Sequence, residues 1–171
     1  MLIHSEGSAT LATRAGHERL AREALVTGLI GAATIAIWFL VLDTIQGQPL
    51  STPTLLGTTL LELSRGPIGL EQSALTAVLG YTIVHGIAFG LFGFVAVQLF
   101  AAAERHPAFV FALLLISIFF FSAFLTGAYL FATPVFEALS VPMVLIGNLL
   151  AALAMGGYLW RKHPLDLSQL M

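Results

Sequence analysis

Cysteine is absent from this sequence and charge is scarce. Without cysteine there are no disulfides, no thiolate metal sites and no thiol nucleophile. Lys, Arg, Asp and Glu make up 9% of the 171 residues, where a soluble domain carries about 25%. The net charge of −2 gives no reason to expect nucleic acid as a partner. Hydrophobic residues make up 58% of the chain. A soluble globule this apolar would expose large greasy patches and aggregate. A bilayer removes that difficulty, because lipid is then the solvent.

The apolar residues fall in four long runs. A bilayer core of about 30 Å needs roughly 20 apolar helical residues. Residues 24–42 carry no charged side chain, and neither do 107–136 or 138–160. Residues 72–103 hold one ionisable side chain of the Asp, Glu, Lys, Arg and His set, His85. The runs predict transmembrane helices near 23–45, 75–104, 107–132 and 141–162. They must be helices, since backbone amides in lipid need partners within the segment or in a closed barrel. Barrel strands would alternate, and these runs do not. The expected fold is an all-α membrane protein, a bundle of four transmembrane helices over residues 23–164.

Lysine and arginine set the orientation. Arg14, Arg19 and Arg22 precede the first run, Arg105 lies between the second and third, and Arg161 and Lys162 follow the fourth. These segments share one side and hold six of the seven basic residues. The other side holds Arg65 with Asp43, Glu62, Glu71 and Glu137. Both termini are therefore expected in the cytoplasm. Tyr158 and Trp160 read as an anchor at the inner interface. The first 22 residues lack the pattern of a cleavable signal peptide. Residues 9–22 read either as a short amphipathic helix on the inner surface or as a polar tail. Residues 165–171 form a second cytoplasmic tail.

The first outer loop, residues 46–73, carries its own structure. Gly47 and Pro49 end the first helix. Thr52 before Pro53 reads as a hydroxyl cap with proline at the first helical position. Leucines at 55, 56, 60, 61 and 63 then suit a short helix over 53–64, lying in the outer interface or tucked against the bundle. Gly66 and Pro67 end it. Thr133 and Pro134 repeat the device briefly, and Ser140 before Pro142 starts the fourth span. Arg105-His106-Pro107 and Lys162-His163-Pro164 end the second and fourth helices alike, as cations suit helix C-termini and proline follows them.

His85 stands out, because an ionisable residue inside a membrane marks a functional site by default. It lies roughly 12–15 Å below the outer end of its helix. Tyr81 precedes it by one turn on the same face. Asp43, Asn148, Ser122 and Thr126 fall in the outer half of their helices, so a polar layer around His85 is expected. One reading of His85 is axial ligation of haem or of a (bacterio)chlorophyll magnesium, with Phe89, Phe92, Phe94, Phe119, Phe120, Phe121 and Phe124 around a ring and Gly86 and Gly90 leaving room for it. No second intramembrane histidine is present for a bis-histidine haem, since His4, His17, His106 and His163 lie toward the cytoplasmic side. The plainer reading is a histidine hydrogen-bonded to a neighbouring helix. Asp43, His85 and Glu137 could begin a proton path, but the inner half of every span lacks ionisable groups. The outer carboxylates match no metal or nucleophile spacing, so no metal site and no catalytic residue are expected.

Small residues recur four apart: Gly28 and Ala32, Gly86 and Gly90, Ala123 and Gly127, Gly147 and Ala151, Ala152 and Gly156. Such pairs let helices pack closely in lipid, against each other or against further subunits.

The segments WFLVLDTIQGQPLSTPTLLG (38–57), YTIVHGIAFGLFGF (81–94) and IGNLLAALAMGGYLWRKHP (146–164) give the chain a likeness. It resembles a group of small four-helix inner-membrane proteins of bacteria that have no assigned activity. The resemblance covers residues 28–164. It implies the four-helix fold and the inner membrane, and places His85, Asp43 and Asn148 in a recurring pattern. It carries over no activity.

The expected role is a non-catalytic accessory, assembly or stabilising subunit of a larger bacterial membrane complex, with lipid and other membrane subunits, or further copies of itself, as partners. No cofactor is expected in that role. The alternatives are a haem- or (bacterio)chlorophyll-binding subunit through His85, and a small oligomeric transporter or channel.

Overall fold

Backbone in lipid must close its own hydrogen bonds, and among the described residues this chain does so with helices alone. The computed structural model describes residues 3–65, 73–105 and 141–163, with side-chain surroundings over 16–62, 73–102 and 142–163. They form four helices: α1 (Ile3–Ile45), α2 (Ser51–Arg65), α3 (Ala74–Arg105) and α4 (Val141–Lys162). Three stretches are long and apolar enough to cross a membrane: Gly16–Ile45 in α1, Ala74–Ala102 in α3 and Pro142–Lys162 in α4. That points to a membrane protein. The expected span at 107–132 lies outside the described residues. So do the turn at Thr133 and Pro134, Glu71, Glu137, the phenylalanines at 119–121 and 124, the Ala123 and Gly127 pair, and the tail 165–171.

The sequence separates residues 9–22 from a first span near 23–45, whereas in the structure both belong to α1. Nothing between them stops a helix. There is no proline, and one interior glycine, Gly16, costs only about 1 kcal/mol. Arg19 donates from Nε to Glu23 Oε1 at 3.0 Å, an i,i+4 bridge across the expected boundary. Polar residues enter the apolar stretch without orphaned groups. The hydroxyls of Thr27, Thr34 and Thr44 each donate to the carbonyl four residues back.

Gly47 ends α1 as the sequence predicts. Its φ of 74° is left-handed, which glycine adopts without strain. The Gln48 amide bonds the Asp43 carbonyl at 2.9 Å and the Gly47 amide bonds the Thr44 carbonyl at 3.0 Å, a Schellman closure. α2 begins differently from the expectation. The Leu50 carbonyl accepts the first helical bond, from the Thr54 amide at 3.1 Å, so Leu50 is the cap residue and Pro53 sits at the third helical position. Leucine has no capping side chain, and Thr52 does not cap either. Asp43 of α1 supplies the carboxylate instead: its Oδ2 accepts the Thr52 amide at 2.8 Å and its Oδ1 accepts the Thr52 hydroxyl at 2.7 Å. The Ser51 amide bonds the Gln48 carbonyl at 3.1 Å, and Pro53 has no amide hydrogen, so the amides of the first three helical positions of α2 are accounted for. Ser73 caps α3 in the ordinary way, its Oγ accepting the Thr76 amide at 3.3 Å.

α1 and α3 run antiparallel. Ala24 meets Gly93, Gly28 meets Phe89 and Gly90, and Ala32 meets His85. The contact is backbone on backbone: a Cβ at Gly28 would stand 2.5 Å from the Phe89 carbonyl oxygen, and one at Gly93 would collide with the Ala24 carbonyl. α4 is also antiparallel to α1. Trp38 Nε1 donates to the Met143 carbonyl at 2.9 Å, the Trp38 indole lies over Gly147, Gly31 faces Met155, and Ala24 packs with Leu159. α3 and α4 therefore run the same way on two flanks of α1, with little contact between them. The three come together at one end, where Ala24, Val97 and Leu159 are buried and Leu20, Ala96, Phe100 and Tyr158 pack around them. Tyr158, expected as an interfacial anchor, belongs to this cluster, while Trp160 beside it is exposed.

α2 lies along α3. Gly57 sits on the Ala77 backbone and Leu61 packs over Gly80.

Candidate functional site

Besides the Trp38 bond to the Met143 carbonyl, ionisable side chains make three contacts between the described helices, and His85 makes the deepest. Its ring stacks on Tyr81, with centroids 5.1 Å apart, and tilts against Phe89 at 4.7 Å. Helical spacing of four residues puts these three rings on one face of α3. Nε2 lies 3.2 Å from the Ala32 carbonyl oxygen of α1, and Nδ1 lies 3.2 Å from the Tyr81 hydroxyl. A carbonyl only accepts, so Nε2 carries the proton; in the neutral ring Nδ1 accepts from Tyr81. Both nitrogens are engaged. An axial ligand to haem or chlorophyll needs a free lone pair, and Nδ1 would have to release Tyr81 to provide one. Phe92 and Phe94 are exposed. Gly86 and Gly90 both face open space on their Cβ side, although the Gly90 Cα lies against Gly28.

The outermost contact is the Asp43 cap of α2. The register of α1 on α3 sets Asp43 level with Ala74, about 16 Å along the axis from His85. Asp43 and His85 are therefore separate sites. Asn148 of α4 is half-buried at the level of Ile35, within about one helical turn of His85 in depth. No hydrogen bond joins it to His85 or Tyr81 among the described residues. Ser122 and Thr126 lie outside them. Of the expected packing residues, Gly28, Ala32, Gly90, Gly147 and Ala151 lie at helix contacts or are buried. A Cβ at Gly86 or Gly156 would meet nothing within 4 Å.

The third contact is one that sequence reading did not find. Glu23 of α1 is buried, and its Oε2 accepts at 3.1 Å from Nε2 of His163, the residue that follows α4. Its Oε1 accepts from Arg19, whose side chain is 71% exposed. Arg19 and Glu23 carry a local signal, the i,i+4 spacing. His163 lies 140 residues away, and nothing local pairs it with Glu23. Among the described residues no three of His, Asp and Glu gather around one point that a metal ion could occupy.

The chain matches no protein-family profile, no curated protein and no solved structure. The buried or half-buried carboxylates and imidazoles among the described residues are Glu23, Asp43, His85 and His163. Each holds one helix to another. Such groups fix helix positions and register.

Proposed function

We propose that this chain is a non-catalytic integral subunit that assembles with, or stabilises, a larger complex in the bacterial inner membrane. The observation that carries the proposal is the engagement just described: Asp43, His85 and Glu23 each join two helices. The outward side chains are apolar, as at Leu25, Leu29, Ile37, Leu149 and Leu153. Such a surface suits lipid or the helices of other subunits.

The proposal includes a fourth crossing by residues 107–132. α3 and α4 run the same way, so the chain between Arg105 and Val141 has to return from one end of the bundle to the other. Residues 107–136 hold no ionisable side chain to oppose that passage. It also includes cytoplasmic termini. Arg19, Arg22, Arg161 and Lys162 lie at the end where Glu23 meets His163, and a cluster of lysine and arginine stays on the cytoplasmic side.

The test is purification of the tagged chain from its native membrane in mild detergent. Stoichiometric co-purification of other membrane subunits is expected. A monodisperse species without partners would overturn the proposal. The absorption spectrum of the same eluate tests the pigment alternative, which requires a visible band that His85→Ala removes. The transport alternative requires flux in liposomes that depends on Asp43 or His85.

A further inference from the structure

We infer that α2 is a re-entrant helix and that its C-terminal end lines a water-filled vestibule open to the face that carries Asp43. A surface helix would cross α3 at a single level. α2 instead descends with it. Asp43, level with Ala74, holds Thr52; Gly57 then lies on Ala77, and Leu61 on Gly80. Successive residues of α2 thus meet successive residues of α3 in the same order, and the two helices run in the same direction. Gly57 permits this alignment, since a Cβ there would collide with the Ala77 carbonyl. Leu61 reaches a depth of about 9 Å below Ala74, and Arg65, at the end of α2, about 15 Å. His85 lies at about 16 Å on the same scale.

A helix that ends at this depth makes a demand that lipid does not meet. The last four carbonyls of any helix need donors from outside it. Hydrocarbon has none, and irregular backbone at membrane depth occurs only where protein covers it or water reaches it. Glu62, in the last turn of α2, is exposed, and a carboxylate facing hydrocarbon costs several kcal/mol. The exposed Glu62 carboxylate favours water there over a protein cover, and that water serves both groups. Ile83 of α3, at a similar depth, is 63% exposed and belongs to the apolar exterior. The inference rests on the membrane reading of α3 and not on the accessory role proposed above.

The cysteine-free chain allows a direct experiment in membranes. The Leu61 Cδ2 lies 3.8 Å from where a Cβ at Gly80 would stand, so Leu61→Cys with Gly80→Cys is expected to be bridged by a short bifunctional thiol reagent. Glu62→Cys alone is expected to react with a membrane-impermeant charged maleimide, and Ile83→Cys alone to react at least tenfold more slowly. Gln46→Cys, on the exposed turn after α1, reports which side the reagent must come from; a failure of the proposed orientation is thereby told apart from a failure of the vestibule. No crosslink means that α2 is not re-entrant. A crosslink without labelling at position 62 means that the end of α2 is sealed. Equal labelling at 62 and 83 means that this part of α3 lies outside the membrane. Each of these three results overturns the inference.

Discussion

Asp43 accepts two hydrogen bonds from Thr52, one from its amide at 2.8 Å and one from its hydroxyl at 2.7 Å. A carboxylate of one helix thereby does the work of a missing cap side chain on the next. Hydrogen bonds to a charged group contribute about 1.5–3 kcal/mol each. Asp43→Ala is expected to lose about 2–4 kcal/mol, allowing for partial relaxation. Thermal unfolding in detergent reads the loss, and the crosslink between residues 61 and 80 should weaken in parallel. Asp43→Asn keeps one acceptor oxygen and should lose about half as much. A melting curve for Asp43→Ala superimposed on the parent would contradict the capping role.

The α1 and α3 contact predicts a contrast between glycines. At Gly28 and Gly93 an added methyl meets backbone, which cannot swing aside. Gly28→Ala and Gly93→Ala should each cost about 1–3 kcal/mol, the usual penalty of overpacking. At Gly86 an added methyl meets nothing within 4 Å. Gly86→Ala should stay within about 0.5 kcal/mol of the parent. Equal effects at the three positions, measured by thermal shift, would mean that α1 and α3 do not approach through Gly28 and Gly93.

His85 is expected to contribute modestly. Interhelical side-chain hydrogen bonds in membranes average about 0.6 kcal/mol and reach about 1.7. His85→Ala should fall in that range, plus the loss of ring packing on Tyr81 and Phe89. Tyr81→Phe should cost less, since it leaves the bond to the Ala32 carbonyl in place. If Tyr81→Phe proved the more damaging variant, the hydrogen bonds would have to be reassigned.

Glu23 and His163 should behave as a coupled pair. Removing one partner of a buried pair leaves the other uncompensated. A double-mutant cycle with Glu23→Gln and His163→Gln is expected to show a coupling of about 1 kcal/mol or more. Arg19→Gln should cost under about 1 kcal/mol, because that side chain is mostly in solvent and its bridge is screened. Additive effects of the Glu23 and His163 variants would show that the contact carries no energy.

The helices were legible in the sequence because length, apolarity and chain-breaking residues are local properties. The end of α1 at Gly47, the presence of α2 and the extent of α4 all follow from such signals. The partners of the polar residues were not legible. Asp43 meets Thr52 through a turn whose geometry depends on a left-handed Leu50, which no propensity favours. His85 bonds a backbone carbonyl, and a carbonyl is present at every residue, so Ala32 carries no mark. Glu23 and His163 are joined only by the antiparallel docking of the first and last described helices. The direction of α2 along α3 was hidden as well, since a leucine stripe shows which face is buried and not which way the helix points.

Among the described helices, α1 is touched by both α3 and α4, which scarcely touch each other. It is also the first of them to leave the ribosome. α3 and α4 therefore reach the bilayer with their docking partner already there, while α2 waits for α3. The docking of α3 and α4 on α1 can follow the order of synthesis.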